Sequence, residues 1–264
     1  MTGRFVGKVA IVTGGGAGIG AATARRLARE GASVIVTGRR AGPLQAVADE
    51  IGGMAVVGDV ADADHARQVV ALALQHYGGV DVLIANAGGN VFGDLESADL
   101  ANWRANFAVN TDGCFLFAKA AVPEMRKRGG GAIVFVASMA ALSAAPGGVG
   151  YISSKAALLG LNRSIAIDYG PAHIRSNVVC PGWVRTEMAE AGLTQLAQHK
   201  GCSVDDLIER TTRLLPLRKM AQPDELASVI AFLASDDASF MTGSTLVADG
   251  GGAIVDAGMV GVLS

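Results

Sequence analysis

The stretch Thr13-Gly14-Gly15-Gly16-Ala17-Gly18-Ile19-Gly20 follows directly on the apolar run Val9–Thr13 and leads into a helical pattern. Nothing else in the 264 residues limits the fold so tightly. A strand that stops at a glycine-rich turn and resumes as a helix begins an open parallel sheet. Gly14 permits a tight turn, Gly18 lets backbone approach a pyrophosphate, and Gly20 lets the helix pack closely. The helix start presents free N–H groups and the positive end of its dipole to phosphates. Gly14, Gly16, Ala17, Gly18 and Ile19 are therefore the expected phosphate turn of a dinucleotide site.

The same alternation continues along the chain. Strands are expected at Val9–Thr13, Ser33–Thr37, Ala55–Gly58, Val82–Ala85, Ala132–Ala137, Ile174–Val179 and Thr245–Ala248. Helices are expected at Ile19–Glu30, Pro43–Ile51, Asp62–His76, Leu100–Lys127, Tyr151–Tyr169 and Pro223–Leu233. The strands are almost wholly apolar, as they are when both sheet faces are covered. Repetition of strand, helix, strand implies parallel pairing with right-handed crossovers. The expected fold is α/β: one domain over residues 1–264, a doubly wound, Rossmann-type parallel sheet of about seven strands with helices on both faces.

Composition narrows the function. A hydrophobic content of 50% permits a large core, and a charged content of 17% suits surface lost to partner subunits. A net charge of −2 with mixed signs leaves no footprint for nucleic acid. The basic cluster Arg126-Lys127-Arg128 precedes three glycines and reads as a helix C-terminus. Cys114, Cys180 and Cys202 lack metal spacing, so no metal is expected, and reduced thiols suit a cytoplasmic protein. His65, His76, His173 and His199 are scattered and read as surface or loop residues. The uncharged stretch from Gly129 to Ser154 is broken by Pro146, Gly147, Gly148 and Gly150, which argues against a membrane span. The run Val9–Val12 is too short for a signal segment.

The second strand ends Thr37-Gly38-Arg39-Arg40. A carboxylate there would bond a ribose 2′-hydroxyl, whereas an arginine there favours a 2′-phosphate. Gly38 stands in the acid's place and Arg39 follows it, so NADP(H) is favoured over NAD(H). NAD(H) is the alternative if both arginines are merely solvated.

Tyr151-Ile152-Ser153-Ser154-Lys155 sets a phenol and an ammonium one helical turn apart on one face. A phenol titrates near pH 10, and a nearby cation stabilises its anion. Bringing a phenol's pKa from about 10 to about 7 takes about 4 kcal/mol of differential stabilisation. That makes it useful for proton transfer at neutral pH. Ser138 ends a strand upstream, where its hydroxyl could hold a substrate oxygen.

Tyr151-xxx-Lys155, Ser138, the Thr13–Gly20 turn and Asn86-Ala87-Gly88 together resemble the short-chain dehydrogenase/reductase family, from Gly7 to about Gly252. The resemblance implies an oxidoreductase passing a hydride between a nicotinamide cofactor and a small alcohol or ketone. It implies Asn110 as a fourth catalytic residue, fixing a water between Lys155 and solvent. It places Asp59, with Val60, at the adenine, Asn86-Ala87-Gly88 and Tyr151 beside the cofactor, and Lys155 at the nicotinamide ribose. Pro181, Gly182, Val184 and Thr186 resemble the turn that orients the carboxamide, and Asp249-Gly250-Gly251 resembles the closing motif. Ala85 departs from the asparagine often found there.

Residues 183–222 break the rhythm after a strand and are expected to form a substrate lid, the alternative being a purely structural subdomain. Its leucines and Met188 suit either reading. Gly89, Asn90, Ala140, Ala145, Gly147 and Trp183 are expected to border a pocket roomy enough for a cyclic or acyl substrate. The apolar tail, residues 253–264, is expected to pack on a neighbouring subunit of a homo-oligomer, tetramer or dimer. Two other functions fit the fold: a non-catalytic dinucleotide sensor, and an epimerase or dehydratase. Retention of Tyr151 and Lys155 weighs against the sensor, and the single domain weighs against the epimerase.

Overall fold

The structure is a computed structural model that describes residues 3–256. Seven parallel strands form one sheet in the order β3-β2-β1-β4-β5-β6-β7. They are β1 (Val9–Thr13), β2 (Ser33–Gly38), β3 (Met54–Val57), β4 (Val82–Ala85), β5 (Gly131–Val136), β6 (Ile174–Pro181) and β7 (Thr245–Ala248). The order reverses between β1 and β4, and open α/β sheets bind ligands at the carboxyl end of such a break.

The pleat of β1 sorts its residues to two cores. Ala10 and Val12 pack with α1 (Gly18–Arg29), α2 (Ala41–Ile51) and α9 (Pro223–Ala234). Val9 and Ile11 face the other way, onto α3 (Ala63–Tyr77), α5 (Gly113–Lys127) and α6 (Val149–Tyr169). All five residues of β1 are buried, which is why the strands lack polar alternation.

The expected single helix over residues 100–127 is not continuous. It runs as α4 (Leu100–Phe107), a wider π-type turn at Ala108–Asp112, and then α5. One residue more per turn leaves the apolar pattern intelligible on either side, so periodicity does not reveal it. The basic cluster does end α5, and Arg128 does more than cap it. Its Nε donates to Asp81 Oδ1 (2.9 Å), while Asp81 Oδ2 accepts the N–H of Val9 (2.8 Å). This ties the start of β1 to the end of α5.

His65 corrects the expectation of surface histidines. It is 5% exposed, on the sheet-facing side of α3, edge-on to Phe117, with Nε2 2.7 Å from Thr37 Oγ1. Neighbouring Ala66, Val69 and Val70 are buried on the same side, and this apolar stripe is what draws His65 inward.

Residues 183–222 contain α7 (Glu187–Lys200) and α8 (Val204–Thr212). Leu193, Ala197, Leu207 and Met220 give this segment a small core of its own, while Met188 and Leu196 stay exposed. Of the tail, residues 257–264 lie outside the described residues; Ile254, before them, is 85% exposed.

Candidate active site

The phosphate turn is fastened to the loop after β4. Thr13 Oγ1 accepts the N–H groups of Asn86 and Ala87 (both 3.0 Å). Asn86 Nδ2 donates back to Thr13 O (2.9 Å) and Gly14 O (3.3 Å). Gly20 is needed for close approach, because a Cβ there would lie 2.2 Å from Gly14 O. Gly18 has φ +52°, and a Cβ on it would meet Thr186 Cγ2 at 3.0 Å. The N-terminus of α1 has no side-chain cap and no acidic residue in its first turn. Its first N–H groups have no partner within the helix.

At the end of β2, Arg39 is exposed and forms no ion pair among the described residues. Arg40 Nη1 reaches Glu187 Oε2 at 3.2 Å, linking this turn to the start of α7. Asp59 is exposed and its Oδ1 accepts Ala61 N–H (3.0 Å); Val60 is buried against Gly113.

On α6, Tyr151 and Lys155 share a face, with Lys155 Nζ 5.9 Å from the Tyr151 ring centroid. Lys155 is 4% exposed, and its Nζ donates to Val136 O (2.9 Å) at the end of β5. Gly88 leaves the ammonium room: a Cβ there would lie 3.1 Å from Lys155 Nζ and 3.0 Å from Asn110 Oδ1.

Asn110 is buried in the π-type turn. Its Oδ1 accepts Gly89 N–H (3.0 Å), and its Nδ2 donates to Gly89 O (2.9 Å) and Ser154 Oγ (3.0 Å). One amide thus holds the loop after β4 against the helix that carries Tyr151. Thr111 reinforces it by donating to Ser154 O (2.9 Å).

Ser138 sits just past β5. Its Oγ accepts the N–H of Ala140 (3.1 Å), which leaves its own proton free to donate. The Tyr151 hydroxyl also bonds nothing among the described residues. Behind Ser138, burial pushes the Cys180 thiol up, partly offset by the Ser138 N–H it accepts. Burial pushes the Cys114 thiol up to about 11. Both thiols are therefore protonated at neutral pH.

Pro181 closes β6, and Gly182 N–H donates to Ala248 O (3.0 Å). Val184 is buried and bridges in parallel to Ala221. Thr186 Oγ1 caps α7 by accepting Ala189 N–H (3.2 Å) while its methyl faces Gly18. The expected site residues thus lie toward the carboxyl end of the sheet: on the last residue of β6 (Pro181), on the turns and loops after the strands, or on the helical segments that follow.

Sequence reasoning missed Asn106, which grips the same loop: Oδ1 accepts Val91 N–H (3.1 Å) and Nδ2 donates to Val91 O (3.0 Å). A signal existed. Asn102, Asn106 and Asn110 recur every fourth residue, a polar stripe unusual in a helix packed on a core.

Residues 14–252 match the family model described as enoyl-(acyl carrier protein) reductase. Protein MoaE of Klebsiella aerogenes is 40% identical over 94% of this chain and 96% of its own length. Human dehydrogenase/reductase SDR family member 4 is 39% identical, covering 92% of this chain and 87% of that protein. Levodione reductase superposes with a TM-score of 0.91 at 30% identity, over 96% of this chain and all of its own. The chain belongs to the short-chain dehydrogenase/reductase family.

Membership of the short-chain dehydrogenases/reductases supports nicotinamide-dependent oxidoreductase activity on an alcohol/carbonyl pair. The residues fit such a cofactor. The uncapped, acid-free start of α1 is suited to a pyrophosphate, and the glycines beside it clear the approach. Among the described residues no cluster could hold a metal ion, and no helix is long and apolar enough to cross a membrane.

Proposed function

We propose that this enzyme interconverts a small-molecule alcohol and ketone, with Tyr151 as the general acid/base and NADP(H) favoured over NAD(H). The observation that carries the reading is the buried Lys155 ammonium beside the Tyr151 ring, anchored to Val136 O and, among the described residues, paired with no carboxylate. A bound dinucleotide supplies or accepts the hydride.

The chain's own groups handle the oxygen and its proton. Ser138, whose Oγ is oriented by Ala140 N–H, donates a hydrogen bond to the substrate oxygen and keeps its proton. The Tyr151 hydroxyl gives that oxygen a proton in reduction, and its phenolate takes one in oxidation. Lys155 holds its Nζ beside the Tyr151 ring, 5.9 Å from the centroid. Asn110 keeps Gly88 and Gly89 against Lys155 and α6, so phenol and ammonium hold their relation. The water relay to solvent belongs to the same proposal.

Arg39 beside Gly38, unpaired among the described residues, supports a 2′-phosphate, since a guanidinium binds such a group in a fork. Residues 183–222 act as the substrate lid, and Thr186 against Gly18 couples that segment to the phosphate turn. The likeness to levodione reductase and to Thermoplasma acidophilum aldohexose dehydrogenase (32% identical, TM-score 0.89, 97% and 98% of the two chains) supports a small alcohol or carbonyl substrate. A cytoplasmic homo-oligomer, tetramer or dimer, completes the reading. Exposed Phe115, Ile167 and Phe240 offer apolar contact for such an assembly.

Turnover of a diverse alcohol and ketone panel with both dinucleotides tests this. Tyr151→Phe should cut kcat by at least about 100-fold while cofactor affinity holds. Substantial residual turnover in that variant would defeat the phenol mechanism. Binding of NADPH without any turnover would point to a sensor instead.

A further inference from the structure

Four buried asparagines use both ends of their amides. Asn106 and Asn110 clamp the loop after β4 as described. Asn162 accepts from Ser176 Oγ (2.8 Å) and donates to Ser244 O (3.2 Å); Asn177 accepts from Ser244 N–H (3.1 Å) and donates to Met241 O (2.8 Å). Asn90 differs from all of them. Its enclosed Oδ1 meets no donor, the one such side-chain atom among the described residues, and its Nδ2 bonds nothing either. An enclosed acceptor without a donor costs stability, so such a group calls for an explanation.

The backbone around Asn90 is held firmly. Gly89 is gripped by Asn110 and Val91 by Asn106. Gly93 pairs with the strip that opens α6, donating to Gly147 O (2.9 Å) and accepting Val149 N–H (3.2 Å). Gly88, on the other side, faces Lys155 Nζ. Asn90 therefore lies on fixed backbone between one anchor that faces Lys155 and another paired with the strip that opens α6, with its Oδ1 enclosed and its Nδ2 end open and unused. The fold has built its support and left its hydrogen bonds unassigned.

We infer that Asn90 is a specificity-determining residue that hydrogen-bonds a second polar group next to the reacting carbon. The substrate class is then a vicinal hydroxy-ketone or diol rather than a plain alcohol. A carboxamide suits this because it both donates and accepts, and half a turn of its terminal torsion exchanges the two ends. A hydroxyl has the same dual character. A carboxylate or phosphate would call for a cation instead, which Asn90 does not supply. The inference rests on Tyr151 and Ser138 marking the reacting oxygen.

The test compares cyclohexane-1,2-diol with cyclohexanol on the wild type and on Asn90→Ala. The wild-type ratio of kcat/KM should favour the diol, and Asn90→Ala should lower that ratio by about tenfold, the worth of one neutral hydrogen bond. An unchanged ratio overturns the inference. The same ratio, read as dissociation constants by calorimetry on Tyr151→Phe saturated with oxidised dinucleotide, is obtained whether or not the probes turn over. Tyr151→Phe removes turnover of both probes if the phenol reading holds, so the two ideas fail separately. Thermal melting gives a further arm. Asn90→Ala should melt no lower than the wild type; a fall as large as that of Asn106→Ala would mark Asn90 as structural and end the argument.

Discussion

At the residue scale the site is decided by which polar groups are consumed by the fold and which are left over. Among the described residues, Lys155 anchors to Val136 O yet meets no carboxylate; Ser138 accepts one bond and keeps its proton; Tyr151 and Asn90 bond nothing by side chain. The arginines after β2 divide in the same way. Arg40 is engaged by Glu187, whereas Arg39 has no ion-pair partner among the described residues. Arg39→Ala should therefore weaken NADPH by about 10-fold or more and leave NADH nearly unchanged, because charge-assisted bonds contribute about 1.5–3 kcal/mol. Fluorescence titration with both dinucleotides checks this, and equal losses would mean that Arg39 does not read the 2′-phosphate.

At the element scale the π-type turn between α4 and α5 matters most. It sets Asn106 and Asn110 so that both grip the loop after β4, one on Val91 and one on Gly89. Asn106→Ala would leave the N–H and C=O of Val91 without partners and open space beside Gly150, against which Asn106 packs. A fully buried group left unsatisfied costs about 1–3 kcal/mol, and these part-buried bonds at exposed Val91 cost less than that each. The variant should melt several degrees lower, as a calorimetric scan would show, and should lose activity through a loosened loop. A melting temperature within a degree of wild type would show that the clamp contributes little. The Asn102–Asn106–Asn110 stripe was visible in the sequence, but a stripe says only that polar groups share a face. What they bond depends on a loop some 15 to 21 residues away along the chain.

At the scale of the whole molecule, His65 and Glu30 are among the groups that tie the fold to pH. Burial holds His65 below the usual imidazole range, outweighing nearby Asp62 and Asp59. Its folded-state value lies below its unfolded one, so the folded state binds fewer protons. The resulting stability is present above about pH 6.5 and is lost as pH falls through the folded value. The Arg4 hydrogen bond, helped by Arg26, holds Glu30 below the usual carboxylate range. Its contribution is likewise present above about pH 4.3 and lost as pH falls further. Melting temperature should thus fall from below pH 6.5 and again below pH 4.3. His65→Gln should flatten the first decline and spare the second; an identical profile would remove His65 as the cause.

The sequence by itself determined the parallel α/β class, all seven strands to within one or two residues, the phosphate turn and the Tyr151–Lys155 pair. These depend on local rules: apolar runs, glycine punctuation and the spacing of one helical turn. The tertiary structure alone decided the burial of His65, the π-type turn, the two asparagine clamps, the Arg40–Glu187 link and the stranded amide of Asn90. Each of these turns on whether a polar group finds a partner far along the chain. Only packing brings such partners together, and only packing leaves one of them out.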